Sequence, residues 1–149
     1  MKGEKIMTYE ELKNKHEQEM NAFPLGACFS KKQFEEMMQK WGLTADDTDK
    51  ILSIGGGCYI RKSDRQAFHD MIDRFEQERK DAIDADKTGE GYIYQMFLSE
   101  LANHEYCITY DLEDTLNALG FTIEEINADK RLLHGLKKAK QDYLKHCEE

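Results

Sequence analysis

The sequence predicts an α+β fold, a small antiparallel sheet covered by six or seven helices. Helix starts are written as capping boxes at four places. The residues after them carry apolar side chains at helical spacing. Strand-like runs are few, short and set around glycines. Few short strands among many helices place the helices on one face of a small sheet.

Taken in chain order, Thr8-x-x-Glu11 opens a helix over 9–21: the hydroxyl accepts from an orphan N–H and the later acid reaches back. "ACF" at 27–29 reads as a short strand, and Ser30-x-x-Gln33 opens a helix over 31–41. "ILSI" (51–54) and "CYIR" (58–61) flank three glycines, which predicts a hairpin with Gly55–Gly57 at positive φ. Ser63-x-x-Gln66 opens a helix over 64–83, with Phe68, Ile72, Phe75 and Ile83 along one side and "RFEQERKD" as its solvated face. A helix over 92–104 precedes "YCITY" (106–110), which reads as a further strand. Asp111 is an N-cap before a helix over 112–119, and Thr122-x-x-Glu125 caps one over 123–128. The last helix, 131–146, carries Leu132, Leu133, Leu136, Tyr143, Leu144 and Cys147 as one apolar stripe, with Lys137, Lys138, Lys140 and Lys145 on the other face. "MMQKWGLTADDTDKI" and "TLNALGFTIEEINAD" echo each other. Gly at a helix C′ and Thr at the next cap explain the likeness without a duplicated domain.

A length of 149 residues suits one globular domain over 1–149, with 1–7 expected to be disordered. An apolar fraction of 40% with a single Pro is too rich for a disordered chain. No apolar run approaches the roughly 20 residues of a membrane span, so no membrane is expected. The start "MKGEKIMTYEEL" has no apolar h-region, so a cytoplasmic chain is expected. Cys28, Cys58, Cys107 and Cys147 form no C-x-x-C pair and read as buried, reduced small hydrophobes rather than zinc ligands.

Charge is uneven. The net charge is −9, yet residues 130–149 hold six Lys/Arg and three Asp/Glu, leaving −12 on residues 1–129. An acidic body repels phosphates and attracts basic proteins.

Several stretches invite a chemical reading. From Asp84, a calcium loop finds Asp86, Thr88 and Gly89 at its third, fifth and sixth positions. The second half fails, since Gly91 stands at the eighth position and Gln95 at the twelfth, where a bidentate Glu belongs. A helix ending near Asp84, a Gly89/Gly91 turn and a new helix from Tyr92 is the better reading, and no metal or cofactor is expected. "SIGGGCYI" lacks the Lys and the following helix of a phosphate cradle. Glu100 and His104 are one helical turn apart with Cys107 close by, a set able to support acid–base or nucleophilic chemistry, though at no standard motif spacing. His69 and Asp73 read as a surface pair, and the C-terminal lysines as a solvated face that could meet phosphates. Three acidic groups remain: Asp46, Asp47 and Asp49; Asp111, Glu113 and Asp114; Glu124, Glu125 and Asp129. Helix dipoles explain them structurally. Functionally, they could converge as a negative surface for a basic partner.

The phrases "FSKKQFEEMM", "SIGGGCYIRKSD", "ADKTGEGYIYQMFLSELANHEYCITYD" and "RLLHGLKKA" run from about Phe23 to Leu144. Over that span the chain resembles a small family of uncharacterised acidic proteins carried by phages and mobile elements of gut Firmicutes. The resemblance implies no catalytic residue. By analogy with other small acidic mobile-element proteins, it implies an inhibitor of host defence, of the anti-CRISPR or anti-restriction kind. The favoured expectation is therefore a non-catalytic protein that blocks the basic surface of a nucleic-acid-handling host protein, such as a CRISPR nuclease. Asp46, Asp47, Asp49, Asp111, Glu113, Asp114, Glu124 and Glu125 would make the contact. The alternatives are a small enzyme around Glu100, His104 and Cys107, and a nucleic-acid accessory factor using the lysine face.

Overall fold

The computed structural model of the chain describes residues 7–147. The expectation for residues 1–7 lies, Met7 apart, outside them. The fold is α+β. Among the described residues there are eight α-helices, α1 (Tyr9–Ala22), α2 (Lys31–Lys40), α3 (Arg65–Ala85), α4 (Tyr92–Asn103), α5 (Tyr106–Thr109), α6 (Glu113–Leu119), α7 (Ile123–Ala128) and α8 (Lys130–Cys147), and three strands, β1 (Gly26–Ala27), β2 (Ile51–Gly55) and β3 (Cys58–Arg61). The chain divides into two compact units, residues 15–77 and the remainder, and α1 and α3 each contribute residues to both.

The unit of residues 15–77 holds the sheet, with strand order β1-β3-β2 and both pairings antiparallel. In the predicted hairpin Leu52 faces Ile60 and Ser53 faces Tyr59, and a bulge lies between Ser53 and Gly55. Gly55, Gly56 and Gly57 have φ of 95°, 62° and 77°, which side chains with a Cβ seldom adopt. The first strand is Gly26–Ala27 instead of 27–29. The Cys28 N–H still reaches the Gly57 carbonyl at 2.8 Å, but the Phe29 N–H turns to the Gln33 side chain at 2.7 Å, which ends the ladder. Ser30 accepts from the Gln33 N–H and starts α2, whose Met37 and Met38 pack with Ile51, Trp41 and Tyr59. Gly26 has no room for a Cβ because the Met37 side chain lies against it. Elsewhere in this unit His16 stacks on Phe75 at 4.1 Å between ring centres.

The capping box expected at Ser63 does not form. Ser63 lies within a single 3₁₀ turn, Lys62–Asp64, that runs into α3, and the Gln66 amide donates forward to Asp70 at 2.8 Å. Two of the other boxes form in full, with Thr8 and Glu11 bonding reciprocally at 2.9 and 3.1 Å and Thr122 and Glu125 at 3.0 and 3.2 Å. At Ser30 only the hydroxyl half forms, since Gln33 reaches past it to the Phe29 N–H. The N-cap of α6 is Leu112 and not Asp111, which stands one residue before it and accepts from the Glu113 N–H at 2.8 Å.

The other unit is built on α4. Its sequence, YIYQMFLSELAN, is apolar nearly all round, which is the mark of a helix enclosed by others. Ile93, Phe97 and Leu101 are fully buried, each worth about 1.5–3 kcal/mol in transfer free energy. α8 and α6 pack on α4, while α7 and α5 pack on α8. The α4–α8 approach is set by Gly135, where a Cβ would stand 2.6 Å from an Ile93 methyl carbon and 2.7 Å from the Gly89 carbonyl oxygen.

The predicted strand 106–110 is instead the single helical turn α5 (Tyr106–Thr109) with Tyr110 as its C-cap. Glu105 (φ 51°) and Tyr110 (φ 54°) take left-handed conformations on either side of it. The turn buries Tyr106, whose ring meets Tyr110 at 5.9 Å and Tyr143 of α8 at 6.4 Å. β-branched and aromatic composition expresses a fit to a half-buried pleated surface, and here the anchoring surface is a helix.

Candidate functional site

The predicted acidic residues all lie at helix starts, and they divide between the two units. Asp46, Asp47 and Asp49 belong to residues 15–77, and Asp111, Glu113, Asp114, Glu124 and Glu125 to the other unit. Some of them serve the backbone. The Asp47 carboxylate accepts from the Thr44 N–H at 2.8 Å and its hydroxyl at 3.1 Å, and these bonds hold its pKa below the usual carboxylate value. Asp111 accepts from the Glu113 N–H just ahead of α6, and Glu125 is spent in the capping box of α7. Among the described residues no side-chain partner engages Asp46, Asp49, Glu113, Asp114 or Glu124, and all five are exposed.

Beside Glu113 and Asp114 lies a feature that the strand reading of "YCITY" hid. Ile108 is 72% and Tyr110 68% exposed, two large apolar side chains on α5 and its C-cap. Residues 105–114 therefore show apolar surface flanked by Glu105 on one side and Asp111, Glu113 and Asp114 on the other. Ile123, at the start of α7 next to Glu124, is 44% exposed.

The candidate catalytic set does not assemble. His104 Nε2 lies 3.4 Å from Glu100 Oε2, as the i,i+4 spacing predicts. The other Glu100 oxygen accepts from the Tyr9 hydroxyl at 2.9 Å, and burial together with that carboxylate drives the Tyr9 pKa far up. Cys107 faces elsewhere. The Tyr143 hydroxyl donates to Cys107 Sγ at 3.2 Å, and a hydrogen bond from Cys147 joins it. These donors lower the Cys107 pKa, that from Cys147 most. Tyr143, its hydroxyl committed to Cys107, is pushed up to about 12. The four cysteines are not buried hydrophobes: Cys28, Cys58 and Cys107 are half-buried and Cys147 is exposed, all as thiols. The Tyr143–Cys107–Cys147 group escaped the sequence reading, although Tyr143 and Cys147 stand one helical turn apart in it.

The loop from Asp84 is a backbone device. The Asp86 carboxylate accepts from the N–H groups of Gly89 (2.9 Å), Gly91 (3.0 Å) and Ile93 (3.0 Å), and so caps α4 from six residues upstream. Burial pushes its pKa up, but these three donors outweigh it and leave the pKa below normal. No group of three His, Cys, Asp or Glu among the described residues could hold a metal ion.

The lysine face is partly spent on the fold. Lys138 pairs with Glu90 at 3.0 Å and lies over the Tyr94 ring at 4.8 Å, and Lys140 lies over Tyr106 at 5.8 Å. Lys137 and Lys145 point into solvent. His69 and Asp73 are both exposed, and no ion pair joins them among the described residues. No helix among the described residues is long and apolar enough to cross a membrane.

Residues 8–142 match the model of a family of unknown function, DUF7659. The chain belongs to that family. The match runs from the Thr8 cap of α1 into α8, so it takes in the acids, the Glu100–His104 pair and the α5 turn. No curated protein and no solved structure matches the chain.

Proposed function

We propose that the chain is a non-catalytic binding protein whose acidic surface seats a basic protein partner. The observation that carries this reading is the stretch 105–114, where Ile108 and Tyr110 stand exposed beside the unengaged carboxylates of Glu113 and Asp114. Large apolar anchors bordered by charge are how compact interfaces divide their labour: the anchors give affinity and the charges give orientation and encounter rate. Glu124 and Ile123 extend the same chemistry to α7. Asp111 and Glu125 contribute negative field but keep their local bonds.

The partner class we propose is a nucleic-acid-handling host protein, such as a CRISPR nuclease, with the chain as its inhibitor. Two things support it. Such proteins hold nucleic acid in basic channels, which an acidic domain can block by standing in for phosphate charge. The sequence also resembles acidic proteins of phages and mobile elements. The test is affinity capture with the tagged chain from a host lysate, followed by binding to the purified partner with duplex DNA as competitor. The expected partner is basic and binds more weakly as salt rises, and DNA and the chain exclude one another. An acidic partner, or one bound equally well at low and high salt, overturns the reading.

A further inference from the structure

We propose that Cys107 and Cys147 are a redox-active dithiol that closes, on exposure to hydrogen peroxide, into an intrachain disulfide tying the α5 turn to the end of α8. The two thiols are 40 residues apart in sequence yet share one hydrogen-bonded cluster with the Tyr143 hydroxyl, which lies 3.2 Å from Cys107 Sγ. Two structural choices bring them together. The left-handed residues Glu105 and Tyr110 wind 106–109 into a turn that packs on α8. Tyr143 and Cys147, four apart on α8, share the face that meets that turn.

The chemistry assigns each sulfur a part. Cys107 is half-buried and receives hydrogen bonds from Cys147 and Tyr143, which favour its thiolate; its burial and, more weakly, Glu105 oppose them. A thiolate is the reacting species toward peroxide. Cys107 attacks one peroxide oxygen, the O–O bond breaks, and the protein is left with a sulfenic acid while hydroxide leaves. Cys147, exposed at the helix end, then attacks the sulfenic sulfur, forming the S–S bond and releasing water. In sum two thiols and one peroxide give one disulfide and two waters. Cys28 and Cys58 serve as an internal comparison. Cys58 opens β3 and Cys28 directly follows β1, and the Cys28 thiol is turned to the Met37 sulfur at 3.4 Å. Burial, with Cys58 adding to it, raises the Cys28 pKa and so works against reaction there.

The experiment treats the reduced full-length chain with stoichiometric peroxide, alkylates the remaining thiols and maps the peptides by mass spectrometry. The expected product is a Cys107–Cys147 linked peptide lacking two hydrogens, restored by dithiothreitol, with Cys28 and Cys58 alkylated. Cys147→Ser should trap Cys107 as sulfenic acid, and Cys107→Ser should abolish the reaction at stoichiometric peroxide. The wild-type map alone decides: separate oxidised thiols, a Cys28–Cys58 link or an interchain link through Cys147 overturns the proposal.

Discussion

The Arg131 guanidinium donates to the main-chain carbonyl of Asp86 at 3.0 Å, while the Asp86 carboxylate accepts from three N–H groups at the start of α4. Arg131 also reaches the Ile83 carbonyl at 3.0 Å, and Asp129 holds it in place through a 3.0 Å pair. One residue, Asp86, thus joins the end of α3, the start of α4 and the start of α8. The loop that looks like half of a calcium site spends its acid on backbone donors, and Gly89 (φ 85°) passes against the Arg131 carbonyl with no space for a Cβ.

Asp86→Asn should lower stability by about 1–3 kcal/mol at neutral pH, because charge-assisted hydrogen bonds become neutral and at least one N–H loses its acceptor. The Asp86 pKa is lowered on folding, so its contribution is fully present above the unfolded carboxylate pKa of about 3.9 and fades as pH falls through the lower folded value. Urea denaturation at neutral pH and near pH 3 should therefore show the variant's deficit shrinking in acid. A deficit that grows in acid would contradict the assigned role.

Gly135→Ala should destabilise by about 1–2 kcal/mol, even though Ala is the better helix former by roughly 1 kcal/mol. The added methyl group would stand 2.6 Å from Ile93, itself fully buried, and 2.7 Å from the Gly89 carbonyl. Neither neighbour is the loose end of a side chain, so α4 and α8 must part. A rise in Tm on thermal unfolding would show that the crossing is slack.

The two predicted capping boxes in Thr122-x-x-Glu125 and Ser63-x-x-Gln66 should behave differently. Thr122→Ala should cost about 1 kcal/mol, since the reciprocal bonds hold the six-residue helix α7 whose Ile126 is fully buried. Ser63→Ala should cost only a few tenths of a kcal/mol, because Ser63 sits in an exposed 3₁₀ turn and Gln66 bonds onward to Asp70. Paired denaturant midpoints measure both. Equal losses would mean that the Ser63 turn caps α3 after all.

That contrast shows where the sequence was legible. Short-range physics could be read directly: the Thr8 and Thr122 boxes and the glycine hairpin depend on residues within a few positions. Whatever depended on a distant partner could not. "YCITY" has a strand's composition, and only Tyr143, over thirty residues on, makes it a helical turn. Glu100 and His104 pair as their spacing implies, but nothing local reveals that Tyr9 occupies the other oxygen or that Cys107 turns to α8. The acids were visible as types and positions, whereas their division into backbone caps and unengaged carboxylates is a property of the fold.

The proposed interface makes its own kinetic prediction, to be measured by surface plasmon resonance against the basic protein recovered with the wild-type chain. Glu113→Lys with Asp114→Lys changes exposed charges at the start of α6, so it should act on encounter. We expect the association rate to fall about tenfold at low salt and its salt dependence to flatten, with little change in dissociation. The cost to folding is only the loss of favourable helix-dipole contacts, roughly 0.3–1 kcal/mol each. Ile108→Ser removes an anchor that is 72% exposed in the free protein, so folding should be unaffected. Here the dissociation rate should rise about tenfold while the salt slope stays as in the wild type. His104→Gln, on the other side of the α5 turn and paired with Glu100, should change neither rate by more than about twofold, well inside the scatter expected for sites away from an interface hot spot. If His104→Gln abolishes function while binding survives, the Glu100–His104 pair does chemistry and the binding-protein reading fails. If neither the charge pair nor Ile108 alters binding, the partner uses another face, and the stretch from Glu105 to Asp114 is only a solvated turn.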